Sequence, residues 1–221
     1  MIISSMNFKG GAGKTMITTN LAVEFAKNGV SVVVVDTDDS KASSKWAARR
    51  AESDQEPFIS VVELTEAKTI GKTLQKLDGD NDIVIVDGPP RLNALVSKII
   101  LLSDLVIVPM PPKGGNDWEV TEDFLERYDF IQQQRSDDGR TPLYLLPNMY
   151  RQGSNLHQAF LANIPTLCEE YNVSMFKSKL NDLVAFGEAN QFGLSITEHD
   201  RGKAKMQFKK FYVEVNDILN Q

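Results

Sequence analysis

A glycine-rich loop near the beginning of the chain has the residue types that bind a phosphate chain. Residues 9–15 read K-G-G-A-G-K-T, after an apolar run and before a stretch with helical spacing. A bound phosphate chain needs backbone N–H groups, glycines that allow close approach, a helix N-terminus, a lysine and a hydroxyl for Mg²⁺. The loop therefore predicts a site for nucleotide phosphates. A glycine-rich turn without a ligand is the simpler alternative.

The loop departs from the usual pattern G-x-x-x-x-G-K-[ST] at its first position. That pattern requires glycine at position 8, where this chain has Phe8. A second lysine, Lys9, follows directly. We interpret Lys9 as part of a distinct signature rather than as the remnant of a degraded loop.

Acidic residues follow two further apolar runs. Asp36 and Asp38 come after the run 31–35, and Asp87 ends the run 83–86. Ligands bind at the carboxyl ends of strands in open α/β sheets, and Mg²⁺ prefers one or two carboxylates. We expect the phosphate-loop strand to neighbour the strand before Asp36. A helix N-cap at Asp38 and a turn at Asp87 are the structural alternatives.

The elements that must position these residues alternate along the chain. This alternation predicts an α/β fold, a doubly wound and mostly parallel sheet flanked by helices, in a single domain over residues 1–221. Strands are predicted at 2–6, 31–35, 59–63, 83–86, 105–110 and 143–146. Helices are predicted at 15–28, 42–51, 66–77, 92–101, 119–134, 156–170 and 203–219. The polar stretch 136–142 is predicted to be a surface connection.

The composition limits the classes of protein. The 221 residues include 24 Lys and Arg against 30 Asp and Glu, a net charge of -6, and 42% are hydrophobic. We expect a soluble globular protein, since no apolar run is long enough to span a membrane. The single Cys168 excludes a disulfide framework and a multi-cysteine metal site within one chain. No secretion signal is visible at the N-terminus, so a cytoplasmic location is expected.

The loop with its extra lysine resembles the deviant Walker A loop of the ParA/MinD family of P-loop ATPases, most of all small ParA-type plasmid partition proteins. The resemblance implies ATP and Mg²⁺ as cofactors and a homodimer that closes over ATP, with Lys9 reaching the partner's nucleotide. It implies that Lys14 contacts the β- and γ-phosphates and that Asp38 positions the attacking water. The implied nucleotide-binding residues are Lys9, Gly10, Gly11, Ala12, Gly13, Lys14, Thr15, Met16 and Asn148, the implied catalytic residues are Lys9, Lys14 and Asp38, and the implied metal-site residues are Thr15, Asp36 and Asp87.

Matches to the family are weaker after residue 90. Asp117 resembles the aspartate that follows the family's proline loop. Asn148 stands where the family has an adenine-contacting asparagine, and an ordinary loop asparagine is the alternative. Residues 193–198, G-L-S-I-T-E, resemble a family segment that lies near the base of the nucleotide. The basic residue that often precedes that segment is replaced by Asp182-Leu183.

A basic segment near the C-terminus indicates contact with a phosphate backbone. By the resemblance, its residues Arg201, Lys203, Lys205, Lys209 and Lys210 would bind non-specific DNA, whereas a solvated helix face is the alternative. The last eleven residues contain no Lys or Arg, so no membrane partner is expected. A second basic stretch, residues 41–50, is interpreted as a solvated helix or a partner surface.

These observations predict a nucleoid-associated DNA partition ATPase with slow intrinsic turnover. A ParB-like centromere-binding protein would stimulate hydrolysis and would supply operator recognition, since no helix-turn-helix precedes the phosphate-loop strand. Two alternatives remain open. The chain could position another cargo, such as a conjugation complex, a protein cluster or the division machinery. It could also be a P-loop metabolic kinase or ligase.

Overall fold

A parallel sheet covered by helices on both faces forms the framework. The computed structural model describes residues 1–91, 93–112, 114, 116–135, 139–199 and 202–221. The strands are β1 (Ile2–Ser5), β2 (Val32–Asp36), β3 (Ser60–Glu63), β4 (Ile83–Asp87), β5 (Leu105–Met110), β6 (Leu143–Pro147) and β7 (Ser174–Met175). The helices are α1 (Lys14–Lys27), α2 (Ala42–Glu52), α3 (Ile70–Asp80), α4 (Ala94–Leu102), α5 (Asp117–Gln133), α6 (Asn155–Glu170), α7 (Val184–Gln191), α8 (Ile196–His199) and α9 (Lys203–Leu219).

The sheet has the order β3-β2-β4-β1-β5-β6-β7, and all its pairings are parallel. Successive side chains of a strand point to opposite faces, so a central strand covered on both sides is apolar throughout. In β4, Val84 and Val86 pack beneath α3, α4, α5 and α6, whereas Ile83 and Ile85 pack beneath α1, α2, α7, α8 and α9. The predicted doubly wound parallel architecture is confirmed.

The strand order corrects one expectation. Strand β4 lies between β1 and β2, so the strand that carries Asp36 is not adjacent to the phosphate-loop strand. The register instead pairs Ser5 with Asp87 and Asp87 with Asp36. Asp87 is therefore the central carboxylate, between the phosphate loop and the residues that follow β2.

Several boundaries differ from the sequence prediction. Helix α3 begins four residues late, because residues 67–69 form a turn in which Ile70 N–H donates to the carbonyl of Glu66. The elements β7, α7 and α8 were not predicted. Residue 92, where a helix was predicted to begin, lies outside the described residues, as do 136–138 of the predicted connection. None of the helices that the structure describes is both long and apolar enough to cross a membrane.

Candidate nucleotide-binding site

The phosphate loop connects β1 to the N-terminus of α1. Gly11 and Gly13 have φ angles of 72° and 100°, a region that side chains disfavour. A Cβ at Gly13 would also lie 2.3 Å from Nδ2 of Asn148. The glycines therefore allow a loop that a nucleotide phosphate chain can approach closely, at the positive end of a helix.

The two lysines of the loop have different surroundings. Lys14 is 6% exposed and its Nζ donates to the carbonyl oxygen of Lys9 at 2.9 Å. Burial lowers the pKa of Lys14, while the charges of Asp87 and Asp38 raise it. Lys9 forms an ion pair with Asp117, the buried first residue of α5. In this single chain Lys9 is thus held by its own subunit, and its predicted contact across a dimer stays a prediction.

Asp36 and Asp38 both lie at the carboxyl end of β2, but their side chains make different contacts. Both oxygens of Asp36 accept backbone N–H groups, from Asp38 at 3.2 Å and from Ser44, in the first turn of α2, at 2.9 Å. The helix-capping alternative considered for Asp38 therefore applies to Asp36. Asp38 instead accepts from Ser40 N–H at 3.0 Å and lines the cavity above the phosphate loop.

Asp87 is buried and is contacted by two hydroxyls. The hydroxyls of Thr15 and Ser43 both donate to its Oδ2 at 2.7 Å. Its Oδ1 is buried and has no hydrogen-bond partner among the described residues. Burial raises the pKa of Asp87 from 3.8 to about 7, although the hydroxyls of Thr15 and Ser43 lower it. Sequence reasoning missed Ser43, because a serine inside a helix carries no motif.

Thr15 and Asp87 fit a magnesium site of the kind that nucleotides complete. No group of three or more His, Cys, Asp or Glu side chains that could hold a metal ion by itself occurs in the described part of the chain. Mg²⁺ needs only one or two carboxylates when phosphate oxygens and waters supply the other ligands. The unpartnered Oδ1 of Asp87 and the adjacent hydroxyl of Thr15 are suitable oxygens. The Asp-Gly turn alternative does not explain these contacts.

A cavity of about 680 Å³ opens beside the phosphate loop, a size typical of ligand sites. Met16 lines it, as do residues of the loop and Asp38. Asn148 is 1% exposed and donates from Nδ2 to the carbonyl of Ala12 at 2.7 Å, so it is not an ordinary loop asparagine. Its Oδ1 is buried without a partner in the described structure.

The far wall of the cavity was not predicted. It is formed by the segment from Asn181 to Asn190, which includes Asp182, Leu183 and Phe186. These residues match no phosphate or metal motif, since they shape a cavity rather than contact charge. Only the observation that Asp182-Leu183 replaces a basic residue of the family pointed to this place.

The segment 193–198 is connected to α2 rather than to the cavity. Arg50 is 2% exposed and makes two bonds to the carboxylate of Glu198, at 2.8 and 2.9 Å. Burial raises the pKa of Glu198, but the hydrogen bonds from Arg50, Ser195 N–H and Lys27 leave it lowered overall. The interpretation of residues 41–50 as a solvated basic helix is therefore wrong for Arg50.

The predicted DNA-binding lysines lie on α9. Arg201 falls outside the described residues. Lys203, Lys209 and Lys210 are exposed, while Lys205 is half-buried. The Nζ of Lys203 donates to Oε1 of Gln152 at 3.4 Å. The structure thus places these side chains on one helix, but it does not by itself assign them a ligand.

A parallel sheet with a phosphate loop after β1 and a carboxylate at the end of β4 defines the P-loop NTPase fold. Residues 3–196 match the model of the CobQ/CobB/MinD/ParA nucleotide binding domain. The chain therefore belongs to this family, as the resemblance of the loop predicted.

Relatives that are similar in sequence include two that match different lengths of the chain. Protein ParA of Rhizobium radiobacter is 36% identical over 106 residues, 48% of this chain and 46% of that protein, so this match spans about half of each. The maintenance of carboxysome distribution protein A of Halothiobacillus neapolitanus is 24% identical over 218 residues, 97% of this chain and 93% of that protein.

Solved structures with the same fold include two nucleotide complexes. The ATP complex of McdA(D38A) from Cyanothece has a TM-score of 0.77 at 12% identity and covers 97% of this chain and 96% of its own. The septum site-determining protein MinD from Pyrococcus horikoshii OT3, complexed with Mg-ADP, has a TM-score of 0.72 at 18% identity. The match covers 99% of this chain and 96% of that protein.

Proposed function

We propose that this chain is a DNA partition ATPase in which ATP and Mg²⁺ bind at the phosphate loop and two subunits close over the nucleotides. The observation that carries the proposal is that Lys14, Thr15 and Asp38 line one cavity, with the buried Asp87 bound to the hydroxyl of Thr15. The second lysine of the loop, Lys9, is the residue that the family resemblance assigns to the nucleotide of the partner subunit. A metabolic kinase or ligase would also need an acceptor site that the motifs do not provide.

Each residue of the site has a separate role in the proposed reaction. Lys14 binds the β- and γ-phosphates, and Thr15 and Asp87 hold Mg²⁺, which draws charge from the phosphate oxygens when bound. Asp38, on the loop above the phosphates, orients the attacking water. Asp36 fixes this loop through its bonds to the backbone of Asp38 and Ser44. Asn148 offers its unpartnered Oδ1 to the amino group of adenine.

Lys9 connects nucleotide binding to dimerisation. It must leave Asp117 to reach the partner's phosphates, so the dimer forms at the cost of this ion pair. The ATP dimer then binds DNA non-specifically, and a ParB-like protein stimulates slow hydrolysis to release it. On this account the protein is cytoplasmic and associated with the nucleoid.

Substitution of the two loop lysines tests the dimer. We expect Lys14→Ala to lose nucleotide binding, whereas Lys9→Ala retains it but remains monomeric with ATP. Lys72→Ala, an exposed lysine on α3, is the control and behaves as the wild type. Titration calorimetry with nucleotide and sedimentation velocity measure the two steps separately. A Lys9→Ala protein that dimerises normally with ATP would show the cross-subunit role to be wrong.

The positioning of a cargo other than DNA is the second candidate function. It is favoured by the carboxysome distribution relative, whose match extends over nearly the whole chain. The hydrolysis rate with the product of the adjacent gene discriminates between the two. Stimulation by a small DNA-binding protein bound to its operator supports partition, and stimulation by a protein that binds no DNA supports another cargo.

A further inference from the structure

The far wall of the cavity is bound to helix α2. Asn190 lines the cavity near the end of α7. The guanidinium of Arg49 donates from Nε to the carbonyl oxygen of Asn190 at 3.3 Å and from Nη2 to its Oδ1 at 3.1 Å. Two hydrogen bonds from one guanidinium restrict both the distance and the direction of the contact. The position of the far wall therefore depends on the position of α2.

The chain that follows α7 packs directly against the backbone of α2. Gly193 has a φ angle of 66°, and a Cβ at this position would lie 2.3 Å from the backbone nitrogen of Arg50. Trp46 is fully buried, and its Nε1 donates to the carbonyl oxygen of Leu194 at 3.3 Å. Because close-packed groups leave little space for independent movement, a shift of the far wall also shifts α2.

The other end of α2 contacts two carboxylates, at the ends of β2 and β4. The hydroxyl of Ser43 donates to Oδ2 of Asp87 at 2.7 Å. The backbone N–H of Ser44 donates to Oδ2 of Asp36 at 2.9 Å. Arg49 lies six residues after Ser43, about 9 Å along the axis of a helix whose backbone hydrogen bonds keep this distance constant. One helix thus connects the far wall of the cavity to Asp87.

In the proposed nucleotide complex, the two ends of α2 lie near different parts of the ligand. Phosphates at the phosphate loop lie beside Thr15 and Asp87, where Mg²⁺ would bind. The sugar and the base then occupy the rest of the cavity, which the far wall borders. A nucleoside in contact with this wall restricts α7, and through Arg49 it restricts α2 before Mg²⁺ binds.

We propose that Arg49 and Asn190 are positioning residues, through which a nucleoside at the far wall and Mg²⁺ at Asp87 strengthen each other's binding. The proposal rests on the proposed function and adds a coupling to its nucleotide site. The nucleoside fixes α2, so Ser43 already orients Asp87 when Mg²⁺ binds, and an oriented ligand binds a metal more tightly. Coupling between two sites is reciprocal, so the affinity for the nucleoside rises by the same factor when Mg²⁺ is bound.

Two ligands that share their phosphates test the coupling, since ADP has a nucleoside and pyrophosphate has none. The affinity of the full chain for each ligand is measured with Mg²⁺ and with EDTA, by competition against a fluorescent ADP analogue. The ratio of the two affinities is the Mg²⁺ enhancement for that ligand. We expect Arg49→Ala to decrease the enhancement for ADP by about fivefold or more, because the coupling is lost. The enhancement for pyrophosphate should change by less than about twofold, because pyrophosphate does not reach the far wall.

Lys45→Ala is the matched control, because Lys45 is exposed on the same helix and its substitution removes the same charge. Both enhancements should remain those of the wild type in this control. Binding of Mg²⁺ to the free ligands is common to all variants, so it cancels in the comparison. Asn190→Ala removes the acceptor Oδ1 and keeps the backbone, and it should decrease the enhancement for ADP by a smaller factor than Arg49→Ala. This milder variant tests the coupling even if Arg49→Ala does not fold.

The outcomes separate the coupling from the proposed function. A decrease for pyrophosphate as large as that for ADP would mean that Arg49 shapes the metal site without the nucleoside, and the proposal would be wrong. An unchanged enhancement for ADP would also overturn it. If the wild type binds neither ligand with Mg²⁺, the proposed nucleotide site itself fails. A wild type that shows the coupling but stays monomeric with ATP would refute the proposed function and leave the roles of Arg49 and Asn190 intact.

Discussion

Asp87 is a buried carboxylate that two hydroxyls contact at the same oxygen. Thr15 belongs to the phosphate loop, whereas Ser43 belongs to α2, whose preceding loop carries Asp38. Ser43 therefore orients the carboxylate from the side of α2, in the manner of the outer hydrogen bonds that orient metal ligands. This contact joins the proposed metal site to the loop that carries Asp38.

We expect Ser43→Ala to weaken the Mg²⁺-dependent part of nucleotide affinity by about tenfold, because the carboxylate loses an orienting bond. Titration calorimetry with ADP, in the presence and absence of Mg²⁺, measures this part. Ser44→Ala, the neighbouring hydroxyl on the same helix, is the control. An equal loss of affinity with and without Mg²⁺ would argue against an orienting role.

The raised pKa of Asp87 predicts a pH dependence of stability. Burial raises this pKa from 3.8 to about 7, so the folded chain holds the proton more tightly than the unfolded chain. The free energy of unfolding of the nucleotide-free protein therefore decreases as pH rises between these values. Urea unfolding at several pH values should show a steeper decrease for the wild type than for Asp87→Asn. Parallel curves for the two proteins would contradict the assignment.

At the scale of elements, the ion pair of Arg50 and Glu198 holds α8 against α2. The guanidinium of Arg50 is almost fully buried, so the carboxylate of Glu198 is needed to compensate its positive charge. Asp39 and Arg91 form a contrasting pair, because both side chains are about two-thirds exposed. The two pairs have similar chemistry and differ in burial.

Isosteric substitutions compare these pairs. We expect Glu198→Gln to lower the free energy of unfolding by about 3 kcal/mol, because it leaves a buried charge uncompensated. Asp39→Asn should lower it by less than about 1 kcal/mol, since exposed pairs contribute little. Chemical denaturation measures both values. Equal effects of the two substitutions would mean that burial does not determine the contribution of the pair.

The elements show which features a sequence can predict. The apolar β-branched runs predicted β1 to β6, because covered parallel strands have no polar alternation. The two-residue β7 and the short α7 and α8 have too few residues for a period to be visible. The position of β4 between β1 and β2 is a long-range property of the sheet, and local patterns do not contain it.

The residues of the site also separate into those that the sequence predicts and those that it does not. The positions of the phosphate loop and of Asp87 at the ends of their strands could be predicted, because the motif of phosphate sites has particular residue types at fixed spacing. Ser43 and the wall around Asn181 could not, since their positions depend on how α2 and α7 pack against the sheet.

At the scale of the molecule, the net charge of -6 is distributed unequally. On the α5 and α6 side of the sheet, burial and then Glu170, Glu126, Glu122 and Asp129 raise the pKa of Tyr171. The exposed Lys203, Lys209 and Lys210 of α9 lie on the other side of the sheet, with the helices that cover Ile83 and Ile85. Under the proposed function, DNA should therefore bind in one orientation, and an ATP dimer with two α9 helices should bind it more tightly than a monomer.

Sedimentation of the protein with labelled non-specific duplex tests this account most directly. The duplex is mixed with the full chain in Mg·ATP, in Mg·ADP and without nucleotide, and the bound fraction and the dimer fraction are measured together. We predict that the protein dimerises and binds the duplex with ATP, and that it is monomeric and releases the duplex with ADP or no nucleotide. Equal binding in all three states would contradict the central claim that ATP controls DNA binding.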